Sequence, residues 1–401
     1  MTRKEQVMIN IAILGFGVVG SGVAEVIKEN SKSLSDKLQG QELNVKYILD
    51  KRTFPEHELG DRVTTDFDMI VNDPDIVMIV ETMGGSHPAY EFTKRAIEAG
   101  KNVVTSNKEV VANFGTELLD LARENNVNYL FEASVGGGIP IIRPMWQCLA
   151  ANEIESVTGI LNGTTNFILT KMIDENMDFS EALKIAQSLG YAEANPAADV
   201  EGLDTCRKIC ILASLAFGNT ISPDKVHCEG ITEITLSDVS AADMLGYSIK
   251  LLGRAVKGDK NTYVITAPHL VSYENPMAGV NDVYNAITVC GNAVGDVMFY
   301  GRGAGKLPTA SAVVADIVDI ARECKKAITW TVAEKDPVCD YKEAKVRFFV
   351  RTDDKKANDL FPNCVFCTTD EGYAFITEEN TESALCEALS KINVLSKIRV
   401  L

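Results

Sequence analysis

The run VMINIAILGFGVVGSGVAEVI, residues Val7–Ile27, decides how the first third of the chain is read. Val7–Leu14 is apolar at nearly every position, which suits a strand buried on both faces. Gly15-Phe16-Gly17-Val18-Val19-Gly20 follows, and then a helical pattern. Glycines at the first, third and sixth places between a strand and a helix form a turn that holds a pyrophosphate. Gly15 permits the tight turn, Gly17 lets backbone approach the phosphates, and Gly20 lets the helix lie close on the strand. The helix start adds free N–H groups and the positive end of its dipole. The spacing predicts a dinucleotide cofactor.

Strand patterns recur beyond this turn at Val45–Leu49, Ile76–Val80, Val103-Val104 and Val127–Phe131. Helical patterns at Ala89–Ala99 and Glu109–Glu124 separate the later ones. Such alternation predicts an α/β fold with a parallel, doubly wound Rossmann sheet. Ligand belongs at the C-terminal strand ends, so Thr82–Gly85 and Thr105–Lys108 are expected to be cleft loops. The second strand ends in Asp50-Lys51-Arg52. An acidic residue there suits the ribose hydroxyls of NAD, and an arginine the 2′-phosphate of NADP. Both are present, and the residues alone leave the choice open.

Past Phe131 the pattern changes. Glu132-Ala133-Ser134-Val135-Gly136-Gly137-Gly138-Ile139-Pro140 is a glycine-rich turn before an apolar helix, Ile141–Leu149. Accessible carbonyls and a carboxylate suit a hard cation; a tight crossover between domains uses glycine equally well. A strand at Ser156–Ile160 leads into Leu161-Asn162-Gly163-Thr164-Thr165-Asn166-Phe167. This turn either caps the next helix or presents hydroxyls, Thr164 among them, to a substrate.

GYAEANPAADVEGLDTCRK, residues 190–208, runs into the apolar ICILASLAF. With a helix starting near Gly202, Asp204 and Lys208 stand one turn apart on one face. That face continues as Ile211 and Leu215. An exposed i,i+4 ion pair is the commoner use of such spacing. Here the helix is apolar nearly all round, which marks an interior element. A buried, paired lysine is a candidate for proton chemistry.

Strands are expected at Val264–Pro268, Ala286–Cys290 and Val294–Tyr300. A second glycine-rich turn, Gly301–Gly305, precedes an apolar helix at Thr309–Ala321, which would return to the nucleotide domain and bring Gly305 near the cofactor. A last segment offers strands at Lys345–Val350, Tyr373–Ile376 and Ile398–Leu401 and a helix at Glu382–Ile392.

Composition excludes several classes. The chain has 401 residues, 46% hydrophobic and 24% charged, enough for two or three domains. A net charge of −17 argues against nucleic-acid or anionic-membrane partners. No run reaches the ~20 apolar residues of a spanning helix. The start MTRKEQVMIN lacks a signal-peptide core, and ten cysteines follow no disulfide framework, so a reduced, cytoplasmic protein is expected. Cys364 and Cys367 form a lone CxxC, read as structural.

The chain resembles the homoserine dehydrogenases. The resemblance runs from GFGVVGSGV through TSNKEVVA, EASVGGGIPIIRP, ILNGTTNFILTKM and GYAEANPAADVEGLDTCRK to GRGAGKLPTA, roughly residues 8–325. It implies reversible reduction of L-aspartate 4-semialdehyde by NAD(P)H to L-homoserine, on the route to threonine and methionine. It implies a homodimer or homotetramer. It implies Lys208 as proton donor and Lys108 as a second catalytic lysine that also meets the cofactor. Asp204, Glu193 and Gly190 match substrate contacts. Phe16, Val18, Val19, Arg52 and Gly305 match cofactor contacts, beside Gly17 and Gly20 from the motif. Glu132, Val135, Gly137 and Ile139 match a sodium site built mostly from carbonyls. Arg52 and the resemblance favour NADP(H), with NAD(H) possible through Asp50. A different two-domain dehydrogenase and a non-catalytic nucleotide sensor are the alternatives; Lys108, Asp204 and Lys208 argue against the sensor.

The resemblance implies a nucleotide domain over 1–134, completed by a helix at 305–328, and a catalytic and dimerisation α+β domain over 135–304. Residues 344–401 resemble a shortened ACT module. RFFVRTDDKKANDLFPNCVF lacks an Asp-x-Pro-Gly turn and a first helix, so only the latter half of the βαββαβ module is expected, and control by threonine is not. Val18 stands where many relatives have threonine.

Overall fold

The computed structural model describes residues 8–259, 261–322 and 328–401. Met1–Val7 and residues 323–327, on which the start of the first strand and the end of the returning helix were expected, lie outside the described residues. The chain forms two compact units. One comprises Met1–Ala151, Phe217–Thr220 and Arg302–Val332, and the other the remainder.

In the first unit the strands are β1 (Met8–Leu14), β2 (Glu42–Leu49), β3 (Val63–Thr64), β4 (Ile76–Glu81), β5 (Asn102–Thr105) and β6 (Tyr129–Leu130). They form one parallel sheet in the order β3-β2-β1-β4-β5-β6. This is the doubly wound dinucleotide order. Central strands are apolar because helices cover both faces: Ile11–Leu14 and Met78–Val80 are fully buried. The helices are α1 (Val18–Glu29), α2 (Ser31–Lys37), α3 (Phe67–Val71), α4 (Ala89–Glu98) and α5 (Lys108–Glu124). The returning helix, α11 in chain order (Lys306–Ala321), packs on α1. A side chain at Gly22 would stand only 3.0 Å from Lys306, which explains a glycine inside α1.

The boundary expected at 134 falls instead after Ala151. The backbone N–H groups of Ile141, Ile142 and Arg143 all donate to the Glu132 carboxylate, at 2.6, 2.9 and 2.8 Å. Arg143 in turn pairs with Asp316 at 2.5 Å and Asp319 at 2.6 Å on α11. These bonds keep the glycine turn and the helix after it within the first unit. That helix contains a π-helical turn, Pro144–Cys148, closed by Leu149 N–H donating to the Pro144 carbonyl at 2.9 Å.

The second unit contains an eleven-stranded mixed sheet. Its strands are β7 (Ile154–Ile160), β8 (His227–Cys228), β9 (Tyr247–Lys257), β10 (Thr262–Ser272), β11 (Tyr284–Gly291), β12 (Gly295–Arg302), β13 (Lys345–Thr352), β14 (Phe366–Thr369), β15 (Gly372–Ile376), β16 (Asn380–Thr381) and β17 (Val394–Val400). The main path is β12-β11-β7-β9-β10-β17-β13-β15-β14. The helices are α6 (Gly163–Asp174), α7 (Phe179–Ser188), α8 (Ala197–Val200), α9 (Leu203–Phe217) and α10 (Leu236–Met244). The α9 helix lies against β9 at Gly253, where a side chain would collide with Ile209 at 2.8 Å.

The C-terminal segment differs from expectation. It contains β13, a four-residue helix α12 (Ala357–Leu360), the hairpin β14–β15, helix α13 (Glu382–Leu389) and β17. Apart from the two-residue β16, that is the complete strand-helix-strand-strand-helix-strand order, with the first helix cut to one turn. The sequence obscures it because ANDL is too short to show a helical period. Nor is the segment a separate module. Its β17 pairs in parallel with β10, and Phe349, Ala374, Ile398 and Val400 share one apolar core with Phe167, Ile168, Leu169 and Leu251. Buried Arg351 reaches Asp238 at 2.7 Å at the start of α10. Cys364 and Cys367 are half-buried free thiols beside and within β14.

Candidate active site

The nucleotide turn has the geometry its glycines predict. Gly15 adopts φ +87°, a left-handed conformation that favours glycine. Its N–H donates to the Leu49 carbonyl, and its own carbonyl accepts from the Thr82 hydroxyl, both at 2.8 Å. A side chain at Gly20 would lie 2.0 Å from the Gly15 carbonyl. At Gly17 nothing occupies the space a side chain would take, so its backbone is open to a ligand. A cavity of about 540 Å³ is bounded here by Gly15, Gly17, Asp50, Arg52, Thr82 and Met83. These features fit a dinucleotide pyrophosphate at the start of α1. Val18 is exposed and Val19 half-buried at that start. Gly305, at φ +118°, begins α11, whose Lys306 pairs with Glu25 of α1 at 2.5 Å.

The Phe16 ring is buried against Phe54 and His57, so backbone is what this residue offers the turn. Its N–H donates to Asp50 Oδ2 at 2.8 Å. The same carboxylate accepts from Arg52 through its backbone N–H at 2.9 Å, Nε at 3.0 Å and Nη2 at 2.8 Å. The hydrogen bond from the Arg52 side chain holds the Asp50 carboxyl well below the usual carboxylate range. The two residues that read as alternative cofactor signals are thus a single closed pair.

The loops after β4 and β5 are joined through Glu81, a residue the sequence reading did not single out. Its buried carboxylate accepts from Met83 N–H at 2.7 Å and from the Thr105 hydroxyl at 2.5 Å. Thr105 Oγ1 accepts from Asn107 N–H at 2.9 Å, and Asn107 Nδ2 donates to the Gly85 carbonyl at 2.8 Å. Asn107 Oδ1 caps α5, which places half-buried Lys108 as its first residue. Burial pushes the Glu81 carboxyl up to about 7. A glutamate closing an apolar strand was the only available signal.

At the glycine turn, Glu132 spends its carboxylate on the three N–H groups described above. What the turn offers a cation is therefore backbone oxygen. Gly137 adopts φ +55°, and its missing side chain would lie 2.3 Å from the Gly303 carbonyl; at Gly136 the corresponding distance to the Ile139 carbonyl is 2.4 Å. This is a cradle with carbonyls packed where side chains would otherwise be. Val135 and Ile139 are buried in it. Among the described residues, no three or more His, Cys, Asp or Glu side chains group to hold a metal.

In the second unit α9 starts right after Gly202, at φ +83°. Lys208 Nζ pairs with Asp204 Oδ2 at 2.8 Å and donates to the Leu161 carbonyl at 2.7 Å. Only 8% of Lys208 and 3% of Asp204 is exposed, so this pair belongs to the interior rather than to the surface. Burying it is tolerable because each charge has its partner and further hydrogen bonds. Asn162 joins the cluster, its Nδ2 donating to Asp199 Oδ1 at 2.7 Å and Asp204 Oδ2 at 2.9 Å. Its Oδ1 accepts from Thr165 N–H at 2.9 Å and caps α6. The capping residue of the LNGTTNF turn is therefore Asn162. Thr164 donates to the Tyr191 carbonyl at 2.6 Å and tethers the loop that carries exposed Gly190 and Glu193. Asn162 and Asp199 were not singled out from sequence; the acidic content of the 190–208 run was the one pointer to Asp199.

Among the described residues no helix is long and apolar enough to cross a membrane. Residues 15–132 match a family model described as the NAD binding domain of homoserine dehydrogenase, and residues 140–318 one described as homoserine dehydrogenase. The chain is similar to homoserine dehydrogenases of Synechocystis sp., 46% identical over 78% of this chain and 73% of that one, and of Bacillus subtilis, 41% identical over 80% and 75%. Its structure is similar to a homoserine dehydrogenase from Thiobacillus denitrificans, with TM-score 0.91, 34% identity and 99% of each chain covered. It is also similar to a hyperthermophilic archaeal homoserine dehydrogenase in complex with NADPH, with TM-score 0.69 and 30% identity over 80% of this chain and all of that one.

Proposed function

The chain belongs to the homoserine dehydrogenase family, and we propose that Lys208, Asp204 and Lys108 carry its reaction, the reversible reduction of L-aspartate 4-semialdehyde to L-homoserine by NAD(P)H. The observation that carries this reading is the buried Lys208–Asp204 pair at 2.8 Å, held by Asn162 and Leu161. When bound, NAD(P)H supplies hydride to the aldehyde carbon. Negative charge then develops on the carbonyl oxygen. Lys208 stabilises it and donates the proton that completes the alcohol; in the reverse direction Lys208 takes that proton back. Asp204 is the counter-charge that orients the ammonium group, and with Glu193 it binds the substrate amine. Lys108, the first residue of α5, adds a second positive charge in this reading. Gly190 and Thr164 set the loop that borders the substrate. The test is purified enzyme with aspartate semialdehyde, followed by absorbance with NADPH and with NADH. No oxidation of either cofactor would refute the substrate.

The resemblance and Arg52 favour NADP(H), and Asp50 admits NAD(H). To meet a 2′-phosphate, Arg52 has to turn away from Asp50, which its exposed position permits. Phe16, Gly17, Val18, Val19, Gly20 and Gly305 contribute backbone to the cofactor. A sodium ion suits the carbonyls of Glu132, Val135, Gly137 and Ile139, where it would stiffen the turn; all-oxygen ligands match a hard cation. The enzyme is proposed to be cytoplasmic and a homodimer or homotetramer. The C-terminal segment keeps an ACT-like strand order, but its one-turn first helix offers little of an effector site.

A further inference from the structure

We propose that Glu229, held by Arg399, is a positioning residue for the substrate loop, so that the C-terminal segment sets how tightly substrate is gripped. This rests on the reading of Asp204 and Lys208 above. Arg399, on β17, is 3% exposed. Its guanidinium grips Glu229 at 2.8 and 3.0 Å and Glu382 at 2.7 and 2.9 Å. Two carboxylates held by one buried guanidinium form a stiff junction. Glu382 opens α13 and belongs to the C-terminal segment itself. Glu229 belongs to the catalytic part, just after β8.

What Glu229 touches on its backbone side is the path to the acid–base pair. Its N–H donates to the Thr266 carbonyl, and Ile231 N–H donates to the Val200 carbonyl, both at 2.8 Å. A side chain at Gly230 would lie 2.1 Å from the Val200 carbonyl, and one at Gly202 would lie 2.9 Å from the Glu229 carbonyl. Backbone thus rests on backbone at both glycines, and the Thr266 and Cys228 side chains close the contact at Gly202. Val200–Gly202 is the link between Asp199 and Asp204, the two carboxylates that Asn162 joins. A displacement of Glu229–Ile231 therefore moves Asp204 relative to Leu161 and Asn162. Arg399 fixes the other end of this strut. The arrangement gives the C-terminal segment a constitutive role in the reaction, separate from sensing an effector.

The experiment compares Glu229→Gln with Glu382→Gln in the full-length enzyme. Both remove one carboxylate charge from the same arginine. Glu229→Gln should raise KM for homoserine by roughly 2- to 30-fold, the range for coupling through a packed network, with kcat and the KM for NADP+ within about 2-fold of wild type. Glu382→Gln should lower the melting temperature and leave the homoserine KM unchanged. Arg399→Lys, which keeps a cation but loses the paired geometry, should raise the same KM by less. An unchanged homoserine KM in both Glu229→Gln and Arg399→Lys, or an equal rise in Glu382→Gln, overturns the proposal. Asp204→Asn measured alongside separates the two readings. If Asp204→Asn is impaired while Glu229→Gln is normal, the strut fails and the site stands; if Asp204→Asn has wild-type kinetics, the site reading itself fails.

Discussion

In the proposed reaction the Lys208 ammonium group holds a developing charge and moves a proton. Lys208→Ala removes both, and turnover should fall ~100- to 10,000-fold, the usual loss for a general acid. Nucleotide binding, built by the other unit, should persist; fluorescence titration with NADPH checks this. Arg52→Ala should weaken NADPH more than NADH, because only the former presents a 2′-phosphate; equal losses in the two KM values would remove Arg52 from that role. Glu81 tests the linkage between charge and stability. Its carboxyl titrates at about 7 in the folded chain, against 4.5 in the unfolded one. The folded state therefore binds the proton more tightly, and this contribution to stability is complete below about 4.5 and lost as pH rises through 7. Glu81→Gln cannot ionise. Relative to wild type it should gain on the order of 1–3 kcal/mol between pH 5 and pH 8, read from urea unfolding at the two values. A constant difference across that range would mean the carboxyl is not protonated near neutrality.

The C-terminal segment shows how an element can be misjudged from its own sequence. Read alone, residues 344–401 look like a shortened ACT-like module that packs on the rest of the chain as an appendage. In the structure β17 extends the catalytic sheet, and Phe349 and Ile398 are buried in the core beneath α6 and α7. A chain ending at Tyr341 would expose that core and leave Asp238 without Arg351 and Glu229 without Arg399. It should therefore be recovered insoluble or unfolded by circular dichroism. Phe349→Ala alone should cost about 3–5 kcal/mol, as aromatic truncations in cores do. Regulation is then best tested on the intact enzyme. Ligand control needs two states that the effector binds unequally. A segment tied into the sheet, the shared core and two buried arginine junctions has little freedom to supply a second one. L-threonine at millimolar levels should leave the initial rate within about 2-fold, well short of the coupling an allosteric site provides. Saturating inhibition in a threonine titration would show that the one-turn helix suffices.

At the level of the whole chain, the first unit is discontinuous. It takes α11 from a stretch more than 150 residues away in sequence. Arg143 finds Asp316 and Asp319 there, and α1 finds the face that Gly22 leaves bare. A fragment ending at Ala151 should therefore fail to bind NADPH, although it contains the whole glycine motif. Residues 302–332 joined to it by a flexible linker should restore binding, measured by calorimetry. Binding by the short fragment alone would show that α11 is dispensable.

Much of this was legible in the residues. The main strands of the first unit are legible as short apolar runs and its longer helices as period-3.6 patterns, while β3, α2 and α3 are not. Gly15 and Gly20 specify their turn because no side chain fits there, and Gly17 leaves its backbone open. The Asp204–Lys208 spacing also places both charges on one face, since helical neighbours are local. β9 was missed because YSIKLLGRAVK has no clean alternation, being buried through most of its length. Other features required the tertiary structure. Asn162 reaches Asp199 and Asp204 across 37 and 42 residues. Glu229 meets Arg399 across 170. Glu132 turns its carboxylate to the backbone N–H groups of Ile141, Ile142 and Arg143, nine to eleven residues on. Periodicity in a single sequence reports only neighbours a few residues apart. Which distant groups satisfy a buried charge is settled when the chain packs, because a buried polar group left unpaired costs more than the local pattern can repay.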